Sequence, residues 1–374
     1  MSSSIAAALV PDLGIVEAIM LVGGKGTRLR PLTINTPKPM LPVAGVPFTA
    51  HQLAQAADAG VTRVILGTSY RPEVFSAYFG DGSDMRIELV YRTEEVPLGT
   101  GGGIRFAAEA LESGPDDPVL VFNGDVLSGV DLPSLIKSHQ DTQAAVTLFL
   151  TRVADPSAFG LVPTDAQGAV LDFLEKPQTP EEIVTDQINA GCYVFQRSVI
   201  DEIPADRPVS VEREVFPDLL AQGRRVTGVV DDGYWLDLGT PMSFVQGSAD
   251  LVLGRVRSSA VPGPVGPSLC LPGSQVSPSA DVTGGSVIGS GAQVGAGAKV
   301  VGSVVMAGAR IEDSARVINS VVAGDAVIGE TAVVRGSVVA EGAVVGAGNE
   351  LTDGARIWPE MTLPPHSIRF SSDR

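Results

Sequence analysis

From Val16 to about Gly254 short apolar runs alternate with longer stretches in which apolar and polar positions recur at helical spacing. The runs Val16–Val22, Arg63–Gly67, Ile87–Tyr91, Val119–Phe122 and Ala145–Leu150 predict strands, and Phe48–Ala59 and Gly102–Leu111 predict helices between them. Strands that are apolar throughout must be covered on both faces, so the pattern predicts an α/β fold with a mostly parallel sheet. In such sheets ligands bind beyond the carboxyl ends of the strands, and the loops there are where chemistry is expected.

After a Pro/Gly-rich stretch, Val261–Gly273, the period changes. Aliphatic residues recur every sixth position at Val276, Val282, Ile288, Val294 and Val300. They recur again, after a slip of one, at Val305, Ile311 and Val317, and in a last run at Val333, Val339, Val345, Leu351 and Ile357. Gly, Ala and Ser fill the gaps. A hexad of this kind predicts a parallel β-helix in which each repeat gives one short strand and one corner. Its flat walls and open ends make a homo-oligomer the expectation.

Composition removes several classes of function. A formal charge of −17 argues against nucleic acid or an anionic membrane as partner. A phosphorylated substrate would need local help from backbone N–H groups, placed cations or a metal ion. The chain has only two cysteines, Cys192 and Cys270, far apart and without metal-ligand spacing, which suits a reducing cytoplasm. The N-terminal apolar stretch Ile5–Val10 has no basic residue before it, so a soluble tail is expected rather than a secretory signal. His51, His139 and His366 have no Cys, Ser or Asp company suggesting a zinc site or a triad and are expected to be structural.

The first strand runs into Gly23-Gly24-Lys25-Gly26-Thr27-Arg28-Leu29-Arg30-Pro31-Leu32-Thr33. Glycines after a strand let the backbone approach a phosphate, and Lys25, Arg28 and Arg30 bring positive charge. The loop lacks the Lys-Ser/Thr ending of a Walker A loop. It is followed by Pro37-Lys38-Pro39-Met40-Leu41-Pro42-Val43-Ala44-Gly45-Val46-Pro47. This pair, some 25 positions in all, resembles the double signature of the sugar-phosphate nucleotidyltransferases. The resemblance implies a Rossmann-like nucleotidyltransferase domain over 15–254, followed by a linker over 255–273 and a left-handed parallel β-helix of hexapeptide repeats over 274–360. Tails fill 1–14 and 361–374.

What the resemblance implies for the site falls on matching positions. Val22, Gly23, Gly24, Gly26, Thr27 and Arg28 would grip the triphosphate, and Lys38 would anchor the reacting phosphates, acting through its charge from an exposed position. Asn123-Gly124-Asp125 and Trp235-Leu236-Asp237-Leu238-Gly239-Thr240 match the family's two metal motifs, so Asp125 and Asp237 would hold Mg2+ and Gly124 would line the nucleotide site. Glu175-Lys176-Pro177 and Asn189-Ala190-Gly191 match its sugar motifs: Glu175 and Asn189 would bond sugar hydroxyls, Lys176 the sugar phosphate, and Gly160 would offer its backbone. Arg28, Lys38, Asp125 and Lys176 are the catalytic set.

The loop Thr93-Glu94-Glu95-Val96-Pro97-Leu98-Gly99-Thr100-Gly101-Gly102 resembles the guanylyltransferase form, with Gly101 in place of Ala, a change expected to loosen the loop. Glu94, Leu98, Gly99 and Thr100 would then contact the nucleotide, with Glu95 as the reserve for Glu94. The resemblance thus implies GTP and mannose 1-phosphate as substrates. A heptose 1-phosphate, ADP-glucose or dTDP-glucose chemistry, and a non-catalytic regulatory relative remain open on the sequence.

Overall fold

Ala18, Ile19 and Met20 have no exposed surface, because the strand Glu17–Leu21 lies between two parallel neighbours, Arg63–Thr68 and Pro118–Asn123. Glu88–Thr93 extends the parallel set beyond Arg63–Thr68. The long strand Gln187–Gln196 runs antiparallel to Pro118–Asn123 and to Val146–Arg152, and the latter pairs in parallel with Val226–Val230. The result is a nine-stranded sheet. The predicted strands are present with ends shifted by a residue or two; the predicted helices are Phe48–Asp58 and Gly99–Ala108.

This computed structural model describes residues 16–369. The tail expected over 1–14, and the last part of the one expected over 361–374, lie outside the described residues. Among the described residues no helix is long and apolar enough to cross a membrane. The chain divides into two compact units, each made of separate stretches. One comprises the residues up to Gly23 with Leu53–Gly124 and Val130–Gly233, and holds the sheet; the other comprises Gly24–Gln52, Asp125–Gly129 and Tyr234 onward.

In the first unit Ile19, Val121, Leu148, Tyr193, Phe195 and Phe216 belong to one buried core. Tyr193 and Phe216 pack edge to face at 5.3 Å. The second unit is dominated by three parallel stacks of short strands, consistent with a left-handed parallel β-helix. Stacking begins with Ser268–Cys270, inside the Pro/Gly-rich stretch, and continues to Thr362–Leu363. Ile288, Val300, Val305, Val317, Val322, Ile328, Val339 and Val345 are fully buried along its axis.

Two details of the hexad register are corrected. Val334 faces the axis, not Val333, and Val322 and Ile328 continue a run that the sequence pattern leaves blank. The reason is a corner one residue short in each middle coil. Ser286, Ser303, Ser320 and Ser337 recur at a spacing of 17, and each of the first three accepts, at 3.1 Å, the backbone N–H of the next serine. These hydroxyls satisfy buried backbone donors that the tighter corner would otherwise orphan. At the open end Val276 is 36% exposed.

Candidate active site

In the first unit the candidate residues gather at the carboxyl ends of the parallel strands. Val22 N–H bonds to Gly67 O and Gly124 N–H to Leu21 O, both at 2.9 Å. A side chain on Gly124 would come within 2.5 Å of the Leu21 carbonyl, so glycine is required there by close approach of backbone; one on Gly23 would meet only the Ser69 hydroxyl, at 2.7 Å.

Glu94 follows the strand Glu88–Thr93 and is half-buried, whereas Glu95 is exposed. Burial pushes the Glu94 carboxyl up, and the Leu98 backbone N–H, donating to Oε2 at 3.3 Å, pulls it back. Gly99 begins the helix Gly99–Ala108 at φ 73°. Gly101, expected to loosen the loop, lies inside this helix. Its N–H donates to Val209 O at 2.8 Å, and a methyl group there would lie 3.0 Å from Val209 Cγ1. Glycine at 101 lets the helix press on its neighbour. Gly103 does the same for Glu94, whose Oε1 lies 2.6 Å from where a methyl would be.

Glu175 lies over Gly160, its Oε2 2.8 Å from where a side chain on Gly160 would begin. Lys176 Nζ is 3.6 Å from Glu175 Oε1. Burial, first, and the charge of Glu212, second, push the Glu175 carboxyl up, with Lys176 opposing them. Asn189-Ala190-Gly191 forms a bulge in the long strand, where its register with Val146–Arg152 shifts. Bulges re-aim side chains next to functional sites. Asn189 donates to Tyr193 Oη at 2.8 Å and accepts from Gly191 N–H at 3.1 Å, which leaves one amide N–H for a ligand.

Glu212 has no place in the sequence reasoning. It accepts from Thr100 Oγ1 at 2.7 Å and from Ser210 Oγ at 2.6 Å, in the π-helical turn Val211–Val215. It thus ties Thr100, a nucleotide candidate, to the surroundings of Glu175. A π-turn is common at functional sites, but only a structure shows one.

In the second unit a two-stranded ladder explains why two distant carboxylates meet. Val126–Ser128 pairs with Trp235–Asp237, placing Asp237 opposite Val126, and Leu238 N–H donates to Asp125 O at 3.0 Å. Lys38 Nζ lies between the carboxylates, 2.9 Å from Asp125 Oδ2 and 3.7 Å from Asp237 Oδ1. The Lys38 side chain is 11% exposed, which corrects the expectation of an exposed position. Pro37 and the turn Lys38–Met40 direct it inward, and Thr49 holds Pro39 O at 3.0 Å. Arg28 Nη2 lies 3.6 Å from Asp237 Oδ2. Gly239 makes room for it: a methyl there would sit 2.5 Å from Arg28 Nη2. Gly26 likewise lets Lys38 and Thr33 close on the phosphate loop, and Thr33 Oγ1 donates to Gly26 O at 2.8 Å.

Asp237 Oδ1 is buried and makes no hydrogen bond among the described residues. A carboxylate oxygen that has an ion-pair neighbour in Lys38 but accepts no hydrogen bond, near a second carboxylate, suits a small hard cation. Mg2+ commonly takes one or two protein carboxylates and completes its shell with water and phosphate oxygens. Among the described residues no group of three or more His, Cys, Asp or Glu could hold a metal. His51 and His139, buried and held neutral with pKa values lowered to about 4, bond Val43 O and Thr147 respectively.

The nucleotidyl transferase family model matches residues 17–252, which span all of these positions. The chain belongs to the nucleotidyl transferase family. A second model, the GMPPB C-terminal domain, matches residues 264–372 of this nucleotidyl transferase. It is 57% identical, over 96% of its own length and 98% of the relative's, to a protein named mannose-1-phosphate guanylyltransferase from Mycobacterium tuberculosis. It is 38% identical to a mannose-1-phosphate guanylyltransferase catalytic subunit beta from Drosophila pseudoobscura pseudoobscura, over 66% of this chain and 65% of that one. Among solved structures it resembles HddC from Yersinia pseudotuberculosis complexed with GMP-PN, with a TM-score of 0.53 and 27% identity over 62% of this chain and 97% of that one.

Proposed function

We propose that this nucleotidyl transferase transfers a guanylyl group from GTP to mannose 1-phosphate, releasing pyrophosphate. The observation that carries the substrate assignment is the 57% identity to a mannose-1-phosphate guanylyltransferase over 98% of that protein's length. The geometry supports the reaction class. A phosphate oxygen of the sugar phosphate attacks the α-phosphorus in line, an O–P bond forms, and the bond to the β-phosphate oxygen breaks with its electrons leaving on pyrophosphate. The protein need supply no nucleophile; positioning and charge suffice. Lys38 and Arg28, poised against Asp125 and Asp237, offset negative charge on the nucleotide phosphates. Lys176 binds the sugar phosphate, while Glu175 and the remaining Asn189 N–H meet sugar hydroxyls. Asp125 and Asp237 would hold Mg2+, which when bound neutralises phosphate charge.

The family models over 17–252 and 264–372 support a catalytic domain over 15–254 and a β-helix over 274–360. The free thiols of Cys192 and Cys270 support a cytoplasmic setting. The deciding assay measures pyrophosphate release with Mg2+ from GTP, ATP, UTP, CTP and dTTP, each against several sugar 1-phosphates. GTP with mannose 1-phosphate should give the highest kcat/KM. A preference for ATP or dTTP, or for another sugar, would overturn the assignment.

A further inference from the structure

The phosphate loop takes its shape from glycine, and glycine leaves it loose. Gly24 and Gly26 have φ of 111° and 53°, a region they reach without strain but that they also leave easily. Between them and Thr33 lie the short turn Thr27–Leu29, closed by Leu29 N–H to Gly26 O at 3.0 Å and Arg30 N–H to Thr27 O at 3.2 Å, and a further turn closed by Leu32 N–H to Leu29 O at 3.1 Å. Those bonds use the Gly26, Thr27 and Leu29 carbonyls.

The carbonyls of Arg28 and Arg30 are both taken by one side chain from far along the sequence. Arg356 Nη1 donates to Arg28 O at 3.1 Å and to Arg30 O at 2.5 Å. Arg356 belongs to the β-helix, on the strand Arg356–Ile357, where pairing with Val338–Val339 fixes its register. A cationic donor shared by two carbonyls of one turn makes charge-assisted bonds, stronger than neutral ones. It fixes the backbone from which the Arg28 side chain reaches Asp237.

We propose that Arg356 is a positioning residue for nucleotide triphosphate binding: a β-helix arginine that pre-orders the phosphate loop. The proposal rests on the reading that this loop takes the triphosphate of GTP. A loop ordered before binding does not charge its lost freedom to the ligand, so affinity rises without a new contact to it. Arg30, the charged residue that follows the turn, is exposed.

The test compares the full chain with Arg356→Ala, Arg356→Lys and a control, Arg335→Ala, whose exposed side chain lies elsewhere on the β-helix. Two readouts are taken: hydrogen exchange of the ligand-free peptide 23–33, and KM for GTP against KM for mannose 1-phosphate. Arg356→Ala should raise exchange in that peptide and raise KM for GTP by about 5- to 20-fold, with KM for mannose 1-phosphate moving less than about twofold. Arg356→Lys should recover part of both effects, and Arg335→Ala should show neither. Active wild type with unchanged exchange and KM in Arg356→Ala overturns the brace and leaves the proposed function standing. So does an equal rise in both KM values with a lowered melting temperature, the mark of general destabilisation. If wild type releases no pyrophosphate from any triphosphate, the proposed function falls and exchange alone decides the brace. Should Arg356→Ala fail to fold, Arg356→Lys and Arg356→Gln carry the same comparison.

Discussion

On the proposed function, Glu94 is the candidate side chain for base choice. Guanine presents two adjacent donors, N1–H and the 2-amino group, and one carboxylate can accept from both. Adenine offers a lone pair at N1 and would be repelled. Half-burial of Glu94, where Glu95 is exposed, favours it for this task, and Gly103 gives its carboxylate room. Glu94→Gln should therefore raise KM for GTP and lower the preference for GTP over UTP by about 10- to 100-fold, with turnover at saturation changing less. Steady-state kinetics of both proteins with each triphosphate checks this; an unchanged preference removes Glu94 from base selection. The loops carrying Gly24, Lys38, Asp125 and Glu175 stood out because their residues match sugar-phosphate nucleotidyltransferase motifs; taken singly, a glycine turn or an Asp after a strand is ordinary turn chemistry. Glu212 did not: its role comes from the Thr100 hydroxyl beside it in space, and nothing in its immediate sequence announces it. Gly239 was read only as part of the Trp235–Thr240 motif; that it makes room for the Arg28 guanidinium comes from the structure.

Elements were read well where a period had one cause and less well where it had two. The central parallel strands Glu17–Leu21, Arg63–Thr68 and Pro118–Asn123 are largely apolar because both faces are covered, whereas Glu88–Thr93, at the edge, keeps exposed polar positions. In the β-helix the period obeys the axis-facing position and also the corner, and the serine-lined short corner shifts the register from Val333 to Val334. Two helices are fastened by buried histidines, which gives the fold a measurable pH response. His51, on Phe48–Asp58, bonds Val43 O at 2.9 Å and Ser258 at 2.8 Å; His139, on Leu132–Thr142, bonds Thr147 at 3.0 Å. Burial lowers both from 6.5 to about 4. The folded state thus binds fewer protons than the unfolded one between those values, and stability is complete above pH 6.5 and lost as pH falls toward 4. The loss is at most about 3 kcal/mol per histidine. Melting temperatures of wild type and His139→Gln, followed from pH 7 to pH 4, should show a shallower fall in the variant; parallel curves would mean that His139 contributes nothing to it.

At the scale of the molecule, the change of sequence grammar near residue 261 suggests a catalytic part and a separable tail carrying no reacting group. The second compact unit is built otherwise. Leu29, Leu41, Val43 and Phe48, from the phosphate-loop and Pro-Lys-Pro segments, share one buried core with Phe244, Val252, Leu269, Val287, Val304, Val321 and Val338. The last five of these positions lie on the β-helix strands of a single stack. Phe244 and Val252 lie on the helix Pro241–Val252 and are kept, whereas the stack supplies Leu269, Val287, Val304, Val321 and Val338, and ending the chain at Gly254 removes these five. Each buried aliphatic side chain is worth about 1.5–3 kcal/mol, so the loss is on the order of 10 kcal/mol, comparable with the whole stability of a typical domain. Removing the β-helix should therefore do more than dissolve an oligomer. A chain ending at Gly254 should expose apolar surface around Leu29 and Leu41, aggregate or melt well below the full chain, and lose GTP turnover even though every candidate reacting group is retained. Light scattering, thermal denaturation and the pyrophosphate assay on the two chains decide it. A truncated chain that stays soluble, melts within a few degrees of the full chain and keeps its KM for GTP would show that the phosphate loop holds its shape without the β-helix.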